Sequence, residues 1–177
     1  MRVFTSEECA AWSERLVAVD ERRKPTRDLG KPHGLRCEFR KAFTQMLWFS
    51  RCVEAALQPR HSCLVWVTDW GIFPSNENLH LFYRLRQTYG DTRLLHEAPG
   101  HLCLDFESAE VVTLVHLGML FGWDLHLIPT AGYARAFVSH HQWVEIGFDH
   151  DTELQASMKD LQAGGVVVSA NPPGAAG

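Results

Sequence analysis

The run Cys63-Leu64-Val65-Trp66-Val67 limits the fold more than any other feature of the chain. Five consecutive apolar residues leave no face for water. A run of strand length, bounded by turn residues, reads as an interior strand covered above and below. Helices must supply that cover, so the chain is expected to build a sheet with helices packed on it. Leu125-His126-Leu127-Ile128 and residues 134–139 fit the same sheet and lie close enough to form a hairpin. Shorter strands are expected at 35–39 and 101–106. Residues 141–148 suit either a helix or a strand.

Helical signals alternate with these strands. Thr5 followed by Glu8 fits a capping box for a first helix. Phe43, Met46, Leu47, Ser50, Val53, Ala56 and Leu57 fall at helical spacing, and Pro59 stops them. Ser75 is expected to cap a helix through Thr88, with Glu77 in its first turn and Leu79, Phe82 and Leu85 as its core stripe. Ser108 is expected to cap a helix over 109–121, apolar on most sides and therefore central. A last helix is expected over 150–162. Gly118 and Gly122 in the fourth helix suit close packing on a sheet.

The unit 101–128 reads as strand, helix and strand, a crossover between parallel strands. The expected fold is therefore α+β or α/β. It is a single domain over residues 1–163, with a mixed β-sheet of about four to five strands covered by about four to five helices. Breakers at Pro25, Gly30, Pro32 and Gly34 mark residues 24–34 as a basic loop. From Gly164 to Gly177 the chain reads as a disordered tail. At 177 residues it needs neither disulfide nor metal to stabilise a core.

The compartment is read from the start of the chain and its thiols. Residues 1–8 contain no apolar h-region of a signal peptide. The most apolar stretch, from Val111 to Trp123, is too short to span a membrane. Cys9, Cys37, Cys52, Cys63 and Cys103 are odd in number and form no CxxC pair. Reduced thiols and a cytoplasmic location are expected, with no membrane partner.

The net charge of −4 is unevenly distributed. Residues 22–41 carry eight basic and two acidic side chains, a net +6. Residues 105–160 carry nine acidic side chains against Arg135 and Lys159, a net −7. Such asymmetry can steer a charged partner. The acidic overall balance, and the lack of aromatics among the basic residues of 22–36, argue against nucleic acid.

Three stretches carry candidate chemistry. His96, Glu97 and His101 could hold zinc or another divalent metal, with Glu97 as general base. The histidines are five apart with Pro99-Gly100 between them, so this is not the helical HExxH arrangement. His140 and His141, with Glu145 following, form a second set of possible ligands. The third stretch runs from Trp66 through Asp69 and Trp70 to Asn76, Asn78, Tyr83, Arg84 and Arg86. Aromatic and arginine side chains are the usual anchors of binding surfaces, so Trp70, Tyr83 and Arg84 are candidate contacts. Asp149 and Asp151 are added from the acidic half. Nucleotide-binding loops, dinucleotide fingerprints and a GxSxG elbow are absent from the sequence.

Gly122-Trp123, a short strand, Phe137-Val138-Ser139-His140 and Trp143-Val144-Glu145-Ile146 together resemble small bacterial proteins of the toxin-immunity type. The resemblance covers the last third of the folded chain and assigns no site residue. It implies an intracellular inhibitor. The acidic half would then face a basic toxin, such as a nuclease domain. The sequence therefore predicts a non-enzymatic, cofactor-free protein-binding domain. A metal-dependent hydrolase using residues 96–101 is the alternative.

Overall fold

In the computed structural model the described residues are 1–39, 43–57, 62–71, 79–131 and 133–170, with the side chains of Phe43 and Thr44 left aside. The chain forms β1 (Arg2–Phe4), α1 (Ser6–Ser13), β2 (His33–Glu38), α2 (Phe43–Leu57) and β3 (Ser62–Asp69). It continues as α3 (Leu79–Thr88), β4 (Gly100–Leu104), α4 (Ser108–Phe121) and β5 (Asp124–Pro129). It ends in β6 (Ala134–Ser139), β7 (Trp143–Phe148), α5 (Asp151–Ala163) and β8 (Val167–Ala170). A 3-10 turn over Leu95–Glu97 leads into β4. The expected cap at Ser75, the stop at Pro59 and residues 171–177 of the expected tail lie outside the described residues.

The strands make one sheet in the order β1-β4-β3-β5-β6-β7-β2-β8. Every hydrogen-bonded pair is antiparallel. This corrects the expectation of a mixed sheet of four to five strands, because β1, β7 and β8 extend it to eight. β4 and β5 do run parallel, as the crossover reading requires, but β3 lies between them and pairs antiparallel with both. The fold is α+β, in a single domain. β8 falls inside the segment expected to be a disordered tail, where Val167 pairs with Glu38 and Ala170 with Leu35.

β3 shows why its apolar run is unbroken. Cys63, Val65 and Val67 enter the large core beneath the helices. Leu64 and Trp66 alternate to the opposite face. The large core draws Met46, Phe49, Val53 and Leu57 from α2. It adds Val111, Leu114, Val115 and Met119 from α4, and Leu154 and Leu161 from α5. The opposite face is covered by Cys9 and Trp12 of α1 with Leu16 and Val17. Further along that face Leu29 lies on Phe137 and Trp143. α4 meets the sheet at Gly118, where a Cβ would come within 2.4 Å of Leu125. Thr5 and Glu8 form the expected capping box at the start of α1. No helix among the described residues is long and apolar enough to cross a membrane.

Candidate functional site

Strand direction decides which residues meet. β3 and β6 end, and β5 begins, at the same edge of the layer. Asp69, Trp70, Trp123, Asp124, His140 and His141 therefore gather at one end of the sheet. A register shift between Val67 and Asp69 sets Asp69 opposite Asp124. Such an irregularity re-aims a side chain at the end of a ladder.

Asp124 is buried, with 7 % of its surface exposed. Its Oδ1 accepts the backbone N–H of His140 at 2.8 Å and the ring Nδ1–H of the same residue at 2.8 Å. Asp69 is exposed, and its Oδ1 accepts the N–H of Gly71 at 3.0 Å. One donor atom from each of Asp69, Asp124 and His140 lies within 4.8 Å of the others. The His141 ring sits 3.9 Å from that of His140, centroid to centroid.

Gly71 holds the turn in place. Its φ is +54°, and a Cβ there would lie 2.4 Å from the carbonyl oxygen of Gly122. Both facts demand glycine. Gly71→Ala is expected to destabilise the protein by about 1–3 kcal/mol, read as a lower melting temperature.

Behind this edge lies an aromatic cluster. Trp70 is half-buried and meets Trp123 edge-on at 4.8 Å. It also meets Phe82 of α3 at 5.3 Å. Tyr83 continues the cluster at 6.5 Å from Phe82, and Arg84 is exposed beside it. Arg86, two residues on, points the other way and is fully buried. Its Nη2 donates to Asp91 at 2.6 Å. Arg93 donates its Nε to the second oxygen of Asp91 at 2.7 Å and an Nη2 hydrogen to the carbonyl of Val3 in β1. Burial opposes ionisation of Asp91, but Arg93 and Arg86 outweigh it and hold the carboxyl below its usual range. Among the described residues, Arg86 Nε and Nη1, His101 Nε2 and Trp123 Nε1 have no hydrogen-bond partner. Arg86, His101 and Trp123 all border the Phe82 ring.

The metal set expected at 96–101 does not assemble. His101 points into the core, where its Nδ1 lies 3.3 Å from the carbonyl of Val65. Burial, reinforced by Arg86, lowers its pKa to about 3, so the ring stays neutral. Glu97 is occupied in its own turn, accepting the N–H of Leu94 at 2.8 Å, and His96 is exposed. His101 lies in β4, which is buried on both faces, whereas His96 and Glu97 lie in the exposed 3-10 turn that precedes it. Among the described residues, Asp69, Asp124 and His140 are the one group of three with convergent donor atoms, so His140 alone survives from the four expected histidines. His141 is exposed beside it.

The five expected contact residues divide between two ends of the sheet. Trp70, Tyr83 and Arg84 lie near the Asp69 end. Asp149 follows β7 at the opposite end, where Lys31 donates to it at 2.6 Å. Asp151 is the exposed first residue of α5 and accepts from Gln155 at 3.4 Å. The basic segment is drawn onto the protein itself. Lys24 donates to the carbonyl of Thr68 at 2.9 Å, Arg27 lies over Phe137, and Arg36 lies 4.0 Å from the Trp143 ring centre. Arg40 and Lys41 lie outside the described residues. The charge asymmetry of the sequence is thus partly folded back on itself through Lys31 and Asp149.

The thiols are not poised for nucleophilic work. All five cysteines are free. Burial raises the pKa of each, to about 12 for Cys37 and Cys103. A protonated thiol is a weak nucleophile. A cleft of about 740 Å³ opens beside His141 and is lined by Arg27, Arg36, Glu38 and Trp143 among others. Glu145, on the strand that carries Trp143, has its carboxyl pKa raised by burial, while Arg36 draws it back. Compared with known proteins, the chain matches no family, no curated sequence and no solved structure.

Asp124 and the Arg86–Asp91 pair were not singled out by sequence reasoning. Asp124 follows a tryptophan at a strand start and looks like turn punctuation. Its partners are 55 and 16 residues away, at Asp69 and His140. Pairing of β3 with β5 and β5 with β6 is what joins them.

Proposed function

We propose that this chain is a non-catalytic, cytoplasmic binding domain of the toxin-immunity kind, and that it holds its protein partner at the sheet end carrying Trp70. The observation that supports this reading is the buttressing of Trp70. Its indole is half-exposed, yet it is fixed between Trp123 and Phe82. A large anchor already held in one orientation loses little entropy on binding. Tyr83 and Arg84 extend the same surface with residue types enriched at interface hot spots. The five free thiols suit a reducing compartment.

A basic toxin domain is the partner this reading expects, steered by exposed acidic groups such as Asp69 and Asp151. Asp149 contributes less, because Lys31 already neutralises it. The test starts from a partner captured by the tagged chain in its native cells and then purified. Tyr83→Ala and Arg84→Ala are expected to weaken its binding by about 30-fold or more at the stronger site. Asp151→Lys is expected to slow association at low salt. Unchanged affinity for both α3 variants would overturn the assignment of this surface.

The hydrolase alternative has lost three of its residues, since His96, Glu97 and His101 do not converge.

A further inference from the structure

We propose that the cleft between the basic loop and the β7–β2–β8 end of the sheet binds a small organic phosphate, whose phosphate group is held by Arg27 and Arg36. None of its residues belongs to the proposed partner surface, and the site does not depend on that reading. The cleft has a volume of about 740 Å³. Small-molecule sites commonly span about 300–1,000 Å³.

Alternation along the strands builds one wall of the cleft. Leu35, Cys37, Val144 and Ile146 enter the large core, so Arg36, Glu38, Trp143 and Glu145 share the opposite face. Two rings on that face each carry a guanidinium. Arg36 lies over Trp143 at 4.0 Å from the ring centre, and Arg27 lies over Phe137 at 5.6 Å. The two rings are neighbours, 5.3 Å apart between centroids. Two like charges are thus brought to one cleft over adjacent rings.

No acid neutralises them. Among the described residues, neither arginine forms an ion pair. Glu145 stands opposite Arg36 in the β2–β7 pairing without making one. Asp28 accepts the N–H of Gly30 at 2.8 Å, and Glu38 is exposed. A guanidinium engaged through its face keeps the N–H donors on its edge for an anion. The loop that carries Arg27 is tied down on both sides. Lys24 donates to the carbonyl of Thr68, Arg135 donates to the carbonyl of Leu29 at 3.1 Å, and Leu29 packs on Phe137 and Trp143. A site ordered before its ligand arrives loses less entropy on binding.

The lining selects the ligand class. Two guanidinium forks offer more charge and more donors than one carboxylate can use, whereas the terminal oxygens of a phosphate accept from both. Phe39 and Val167 add an apolar wall for an organic body. Glu38 and Gln142 offer acceptors to its hydroxyl or amino groups, and His141 offers a further ring nitrogen.

Calorimetric titration of the full-length protein with adenosine 5′-monophosphate, and separately with inorganic phosphate, tests the site at constant ionic strength. Both are expected to bind one competing site, the nucleotide at least 10-fold more tightly. Arg27→Gln and Arg36→Gln are each expected to weaken both ligands at least 10-fold. Lys159→Gln, which removes a positive charge from α5, is expected to leave binding unchanged. Melting without ligand verifies that each variant is folded. Absence of saturation by either probe at millimolar concentration overturns the proposal, and so does binding that both arginine variants leave unaltered. Adenosine binding as tightly as its monophosphate would overturn the role of the phosphate. Inorganic phosphate binding as tightly as the nucleotide would overturn the organic body. None of these results bears on the partner surface, which Tyr83→Ala and Arg84→Ala probe independently.

Discussion

Asp91→Ala is expected to cost the protein about 3–5 kcal/mol, the usual penalty for stripping a buried cation of its partner. Arg86 has no exposed surface, and Asp91 accepts its 2.6 Å hydrogen bond. Without that carboxylate a guanidinium remains in the core beside Phe82 and His101. Arg93 would lose its anchor as well, and with it the alignment of its hydrogen bond to Val3 in β1. A loss of this size should lower the melting temperature of a chain this long by roughly 10 °C. The double variant Arg86→Met, Asp91→Leu should recover much of the loss, because a buried pair replaced by apolar side chains is often neutral. A melting temperature for Asp91→Ala within 2 °C of the parent would show that the pair is not carrying this energy.

Acidification is expected to produce the second large effect. Burial lowers the pKa of His101 to about 3, with Arg86 adding to the shift. Burial likewise lowers that of His126 to about 3, with Arg27 adding to it. In the unfolded chain both imidazoles take up protons below about pH 6.5. In the folded chain they stay neutral down to about 3. The unfolded state therefore binds more protons across that interval, and stability falls as the pH falls. Each histidine approaches a slope of about 1.4 kcal/mol per pH unit below its unfolded pKa, so the two together remove about 3 kcal/mol between pH 6.5 and pH 5. Thermal melts from pH 7.5 to pH 5 should show the decline, and His126→Gln should make it shallower. A melting temperature flat over this range would mean that both rings accept protons without unfolding.

Local signals carried much of the fold. The unbroken run in β3 announced an interior strand because both sheet faces really are covered there. The helical stripe of α2 and the Thr5–Glu8 capping box were legible because the interactions that enforce them lie within one or two turns. The sheet was underestimated for a related reason. β1 has three residues and β8 has four, too few to display a period. β8 also sits among glycines and prolines that read as a tail. Residues 141–148 suited either a helix or a strand on local pattern alone. Pairing with β6 and β2 made the segment from Trp143 a strand.

The candidate site was less legible because it is made by pairing rather than by neighbouring letters. His96, Glu97 and His101 are close in sequence, yet a strand covered on both faces buries one and the turn engages another. Asp69, Asp124 and His140 are far apart in sequence and adjacent in space. Trp70, Tyr83 and Arg84 were named from residue type, because aromatic and arginine side chains are enriched at binding surfaces, and the fold places them near one end of the sheet. Asp149 was drawn from the charge imbalance, which could not reveal that pairing of β2 with β7 sets Lys31 beside it.

The strand order also sets a timetable for synthesis. Arg2 of β1 pairs with Leu102, and Leu35 of β2 pairs with Ile146. Both early strands leave the ribosome long before their neighbours exist. β3 cannot close the gap between them, because it pairs with β4 and β5, which are also made later. For much of translation the nascent chain therefore holds strand-forming segments with open ladders, the state in which chains associate wrongly. β4 to β7 must emerge before the sheet can close. A chain reordered to begin at β3, with β1 and β2 following β8, would present the paired strands first and shorten that exposed interval.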